Sequence, residues 1–219
     1  MTERPRAEER ALFKKNAAAM RVELSDNTAE KLLQYRDLLM KWNRAYNLTS
    51  IKSPEDALVL HVLDSLSILP RVSAFFENRT SLSLLDAGSG GGLPGIPLGA
   101  ALPSLSVTLL DSVGKKTAFQ RQAIIELGLS NVHAEHGRAE QFSGQFDLIV
   151  SRAFANLSDF VSCSFALLAP GGRWLAMKGK DSADEQRALS PRIQVDEVIP
   201  LSIPGMRAER HLVILSKAS

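Results

Sequence analysis

The 219-residue sequence contains one cysteine, Cys163, which excludes an intramolecular disulfide and a cysteine-built zinc site. That thiol lies in the apolar run Phe160-Val161-Ser162-Cys163-Ser164-Phe165-Ala166-Leu167-Leu168, where a buried structural role is expected rather than a nucleophilic one. Long hydrophobic runs are also missing: the apolar stretches fall well short of a bilayer span, and Met1-Thr2-Glu3-Arg4-Pro5 lacks the apolar core of a signal peptide. A cytoplasmic protein with no membrane contact is expected. Net charge is only +2, too little to require a polyanionic partner, although Lys14-Lys15, Lys115-Lys116 and the Lys178/Lys180 pair are local clusters able to touch phosphate. Neither an internal repeat nor a low-complexity segment is present.

What remains is an ordinary globular composition, 45% hydrophobic and 23% charged, long enough for one substantial domain and an appendage. Residues 1–78 read as a helical cap. Phe13, Ala17 and Met20 recur at helical spacing, and Leu32, Tyr35, Leu39 and Trp42 mark one face of a second helix capped by Ser25. Ser53-Pro54-Glu55-Asp56 has the cap, N1 proline and acidic first turn of a third.

Residues 79–219 alternate between short apolar runs and helical stretches. Strands are expected at Ser83–Asp86, Ser106–Asp111, Val132–His136, Phe146–Val150, Gly172–Lys178, Gln194–Leu201 and Arg210–Ser216, with helices linking the first five. The last two leave no room for a helix between them and should form a hairpin. The pattern implies an α/β, Rossmann-like doubly wound sheet with a terminal antiparallel hairpin, the class I methyltransferase arrangement.

The chemistry concentrates in Leu84-Leu85-Asp86-Ala87-Gly88-Ser89-Gly90-Gly91-Gly92-Leu93-Pro94-Gly95, an apolar strand ending in a carboxylate, a glycine loop and a helix start. Such a loop turns tightly, and loop and helix N–H groups are expected to meet an anionic part of a nucleotide-type cofactor. Asp86-x-Gly88-x-Gly90-x-Gly92 is the pattern of S-adenosylmethionine (SAM) methyltransferases; Gly90-x-Gly92-x-x-Gly95 is the dinucleotide fingerprint. Charge separates them. A pyrophosphate would meet Asp86 unfavourably, whereas the ammonium of SAM is attracted to it, directly or through water.

Asp111 ends the second strand, where a carboxylate accepts from ribose hydroxyls or serves only as a turn residue. Arg138-Ala139-Glu140 follows the third strand beside the expected adenine, and Ser151-Arg152-Ala153-Phe154 follows the fourth. Arg152 either binds a carboxylate or phosphate or braces the loop. The Asn/Asp-Pro-Pro-Tyr/Phe run of exocyclic-amine methyltransferases is absent, and Cys163 is badly placed to attack a pyrimidine ring. Lys178 lacks identifiable partners for ribose 2′-O chemistry. In the cap, Trp42-Asn43…Tyr46-Asn47-Leu48-Thr49 and His61…Asp64-Ser65-Leu66 read first as a polar seam docking the cap; a metal site is not expected.

These segments, with Gly-Leu-Pro-Gly-Ile-Pro after the loop as the most specific part, closely resemble the bacterial small-subunit ribosomal RNA guanine-N7 methyltransferase family, also called glucose-inhibited division protein B. The resemblance covers about residues 25–180. It implies SAM as cofactor and a guanine N7 of 16S ribosomal RNA, free or in the small subunit, as acceptor. By position it puts Gly88 and Leu93 on the cofactor loop, Ala139 and Glu140 at the adenine, and Arg152 near the methionine end. Gly99 replaces the more usual alanine and is expected to matter little. Asp86, Gly90, Gly92 and Asp111 complete the expected cofactor site; Phe154 is expected to stack the acceptor base, and Lys178 to lie near the substrate. No catalytic residue is assigned, because guanine N7 has a lone pair and no proton to remove. A monomer is expected. Methylation of another RNA position or of a small molecule, a non-catalytic SAM- or RNA-binding ribosome-assembly factor and an NAD-dependent reductase remain as alternatives, separable by labelled methyl transfer and cofactor binding.

Overall fold

The computed structural model describes residues 5–77, 79–152, 154, 156–179 and 182–218. The cap begins with α1 (Arg6–Ala19) and α2 (Asp26–Tyr46). Ser25 accepts from the Thr28 N–H, as the sequence predicts, and Asn47 ends α2 in the left-handed region. Leu32, Tyr35 and Leu39 are buried along α2, and Trp42 packs at their margin. Next come α3 (Pro54–Ala57), capped by Ser53, a π-helical turn over Leu58–Leu63, α4 (Asp64–Leu66) and α5 (Leu69–Ala74). This corrects the expectation about apolar runs, since Pro54–Ala74 is a helical stretch long and apolar enough to cross a bilayer. Just over half of that stretch is buried inside the fold, as befits a core helix.

The described residues of the second half form a seven-stranded sheet in the order β3-β2-β1-β4-β5-β7-β6. Its strands are β1 (Leu82–Ala87), β2 (Leu105–Asp111), β3 (Val132–His136), β4 (Phe146–Ser151), β5 (Leu168–Lys178), β6 (Ile193–Pro200) and β7 (His211–Lys217). The first five are parallel; β7 runs antiparallel to β5 and pairs with β6 in the expected hairpin. Parallel strands leave their carboxyl ends together, which gathers Ala87, Asp111, His136 and Ser151 along one rim.

Helices α6 (Gly95–Ala101), α7 (Gly114–Leu127), α8 (Leu157–Ser164) and the short α9 (Ala183–Arg187) complete the order. The link between β3 and β4 holds only a 3₁₀ turn, Ala139–Gln141, instead of the expected helix. Strand β5 also starts four residues early. Gly171, in the left-handed region, and a register shift opposite Phe146/Leu148 absorb Pro170-Gly171-Gly172 as an irregularity within the strand.

Alternate residues of β1 feed opposite faces. Leu84 joins a core shared with Tyr35, Leu39 and Leu63 of the cap, while Leu85 joins Ile149, Phe160 and Trp174 beneath α8. The cap therefore shares one continuous apolar core with the sheet. Gly99 fits α6 closely against β3, where an added Cβ would lie 2.4 Å from the Val132 side chain. An alanine there would need Val132 to shift.

Candidate active site

At the end of β1 the chain turns through Gly88, Gly90 and Gly92, all at positive φ. A Cβ at Gly92 would also lie 2.4 Å from Ile96 Cδ1, so glycine serves both conformation and packing. The N–H groups of Gly88 and Ser89 donate to the Leu110 carbonyl, that of Gly90 to Asp111 Oδ2, and those of Gly92 and Leu93 to the Ser89 carbonyl. At the start of α6, the Gly95 N–H donates to Asp86 Oδ2 at 2.8 Å and the Ile96 N–H to the Gly92 carbonyl. This corrects the sequence reading: these loop and helix N–H groups brace the loop itself instead of standing ready for an anion.

Asp86 is fully buried, and among the described residues its Oδ1 has no hydrogen-bond partner. Burial pushes its carboxyl up to about 7, partly offset by the Gly95 N–H and the charge of Arg152. Asp111 is nearly as buried; its Oδ1 accepts from the Val113 N–H, and Lys116 lies 3.7 Å from Oδ2. Two residues that the sequence reading missed tie the loop down. The Tyr35 hydroxyl donates to the Gly91 carbonyl at 2.5 Å, and Gln120 Nε2 donates to Ser89 Oγ and the Gly90 carbonyl.

Two cavities border this loop and a third adjoins the second. One, of about 230 Å³, is lined by Gly88, Asp111, Ala139, Glu140, Phe154 and Cys163. A second, of about 110 Å³, includes Gly88, Gly90, Leu93, Thr49, His61 and Arg152. A third, of about 250 Å³, lies between the cap and the sheet rim and includes Ile51, His61, Arg152, Lys178 and Arg210. The first two share Gly88; the second and third share His61 and Arg152. The structure thus brings Gly88, Gly90, Leu93, Asp111, Ala139, Glu140 and Arg152 together, with Asp86 and Gly92 bracing the loop from within.

The polar seam of the cap meets the sheet at Arg152. Its Nη1 donates to Asp64 Oδ2 at 3.1 Å and to the Leu60 carbonyl at 2.9 Å, and its Nη2 lies 3.2 Å from His61 Nδ1. His61 Nδ1 also lies 3.1 Å from the Leu60 carbonyl, and its Nε2 lies 2.8 Å from Thr49 Oγ1. Burial first, and then the Arg152 charge, push His61 down to about 4, so it is neutral near pH 7. The other Asp64 oxygen accepts from Arg210 Nε at 3.1 Å. Arg210 carried no signal in the sequence; only the return of β7 beside β5 brings it here.

Phe154 and Gly88 line the same cavity, where a Cβ added at Gly88 would be 3.7 Å from the Phe154 ring, and Phe154 also borders a small space beside Met177 and Lys178. Lys178 is paired with Glu185 at 2.9 Å. Lys115 donates to the Tyr46 carbonyl, tying α7 to the end of α2. Lys180 and Ala153 fall outside the described residues. Cys163 corrects its expectation: it is half-buried at the edge of the first cavity, and burial pushes its thiol up to about 11.

Residues 28–213 match the model of the rRNA small subunit methyltransferase G family. The chain belongs to this family. Ribosomal RNA small subunit methyltransferase G of Neisseria meningitidis serogroup B is 48% identical over 201 residues, covering 91% of this chain and 94% of its own. The protein of that name from Aromatoleum aromaticum is 46% identical over 213 residues, covering 94% and 98%. Among solved structures, magnesium protoporphyrin IX methyltransferase from Synechocystis with bound SAM has a TM-score of 0.61 at 18% identity, covering 86% of this chain and 97% of that one. TrmN from Thermus thermophilus has a TM-score of 0.58 at 20% identity, covering 74% and 53%. These two show the class I fold shared by this rRNA methyltransferase G family member.

Proposed function

We propose that this family member transfers the methyl group of SAM to N7 of a guanine in 16S ribosomal RNA. The observation that carries the proposal is the meeting of the expected cofactor residues, drawn from separate strand ends, around two cavities joined at Gly88.

The residues present fit the cofactor. Asp86 Oδ1 is a buried acceptor without a partner, suited to an ammonium directly or through water. Arg152 supplies the positive charge that a methionine carboxylate requires, a role the braced loop N–H groups do not fill. Asp111 has acceptor capacity for ribose hydroxyls, while Ala139 and Glu140 wall the adenine side. When bound, SAM supplies an electrophilic methyl group on a sulfonium. The chain's task is to bind and orient. Guanine N7 offers a lone pair and needs no base; holding two reactants in line is worth about 7–11 kcal/mol. Phe154 offers an aromatic surface between the nucleoside cavity and the Lys178 side, suited to a purine that becomes cationic.

In this reading residues 1–78 form the cap side of the site and residues 79–219 the cofactor-binding unit. The protein acts as a monomer on 16S RNA or the small subunit, in the cytoplasm where that substrate is. SAM or S-adenosylhomocysteine should raise the melting temperature while NAD and NADP do not, since a ligand stabilises the state that binds it. Stabilisation by NAD alone would reject the proposal.

A further inference from the structure

The third cavity is the least explained part of the site. It shares only His61 and Arg152 with the second cavity, so an occupant would lie beside Arg152, away from Asp111 and the nucleoside side. Arg152 and Arg210 line its wall and, among the described residues, share a single carboxylate, Asp64; Lys178, paired with Glu185, lines it too. His61 adds no charge near neutrality. An excess of positive charge in a recess favours a phosphate-bearing ligand.

Asp64 is fully buried and bridges two arginines that come from different places, Arg152 after β4 and Arg210 before β7. It meets Arg210 through Nε. The Arg210 Nη1 lies over Gly179, where a Cβ would be only 2.7 Å away, so glycine leaves room for the guanidinium beside the cavity. Guanidinium groups keep their charge and present a planar set of donors matched to phosphate oxygens. One buried carboxylate thus fixes two such groups at once.

We propose that this cavity seats the acceptor nucleotide, and that Asp64 is the positioning residue that holds Arg152 and Arg210 against it. The inference rests on the methyltransferase reading above. A base turned out of a folded RNA would enter with its phosphate against the arginines, and its ring would approach the methionine side through the shared wall.

The test uses full-length protein, Arg210→Gln and Asp64→Asn, labelled SAM and small-subunit ribosomal RNA. Arg210→Gln should raise KM for RNA at least tenfold and reduce the slope of log binding against log salt by about one, the loss of one phosphate contact. Its Kd for S-adenosylhomocysteine should stay within twofold of wild type. Asp64→Asn frees both arginines, including Arg152 on the cofactor side, so kcat/KM for RNA should fall at least tenfold and by more than the affinity for S-adenosylhomocysteine; if it fails to fold, Arg210→Gln decides. An unchanged RNA KM in Arg210→Gln, or cofactor affinity falling in step with methylation, overturns the inference. Wild-type protein that transfers no methyl to small-subunit RNA overturns the proposed function and this inference with it, whereas an active wild type with an unaffected Arg210→Gln removes this inference alone.

Discussion

Asp86 has one oxygen committed to the Gly95 N–H and the other buried without a partner among the described residues, and that asymmetry has a measurable pH signature. Its folded pKa, about 7, lies above its ordinary value of 3.8. Protonated Asp86 therefore favours the folded state most below about pH 4, and this contribution is lost as pH rises to 7. His61 has the opposite sign: its folded value near 4 lies below 6.5, so its contribution is present above pH 6.5 and lost as pH falls towards 4. Because the two oppose each other, the wild-type profile hides both. Comparison with Asp86→Asn isolates the first. Urea unfolding of the ligand-free proteins from pH 4 to 7 should show wild type losing stability relative to the variant as pH rises, and parallel profiles would mean that Asp86 is already ionised throughout. Asp111 predicts a different outcome. Asp111→Ala removes both the expected ribose acceptor and the partner of the Gly90 N–H, so SAM affinity should fall by about 1–3 kcal/mol. The rate at saturating SAM should change less, and an unchanged KM for SAM would reduce Asp111 to a turn residue.

The glycine loop is a braced element whose supports come from β1 and β2 below, α7 behind and α2 from the cap. Tyr35→Phe removes only the hydroxyl that meets the Gly91 carbonyl, and should cost about 0.5–1.5 kcal/mol of stability together with a loss of SAM affinity. Calorimetric melting and titration on the same sample would check it; lost stability with intact affinity would show that the tether serves the cap alone. Gly88 tests the loop conformation. At φ +71° a β-branched residue is strained by about 1–3 kcal/mol, so Gly88→Val should lose SAM binding while remaining folded. The loop, its glycines and the strand-end acids were legible because their chemistry is local. Tyr35 and Gln120 were not read as supports, since a helix period shows that a residue is buried but not which carbonyl its polar atom meets. The missing helix after β3 and the early start of β5 were hidden for a related reason: short links and strand irregularities depend on neighbouring strands more than on their own residues.

On the scale of the whole molecule, the helical cap and the sheet share one core, and between them lies a cavity with walls from both. His61 and Asp64 were legible as a seam, yet the arginines that complete it arrive from positions 152 and 210, a pairing that no sequence period displays. The same arrangement puts the residues proposed to hold the cofactor on the sheet rim with the cap opposite them, while the rRNA methyltransferase family to which the chain belongs is the basis for reading RNA as the acceptor. The most direct measurement follows the methyl group itself. Small-subunit and large-subunit ribosomal RNA should be incubated with the protein and labelled SAM, the label quantified, and N7-methylguanine mapped by borohydride and aniline scission. The account predicts label in the small-subunit RNA alone, with one scission site at a guanine. Label on an exocyclic amine, a ribose or the large-subunit RNA would contradict it.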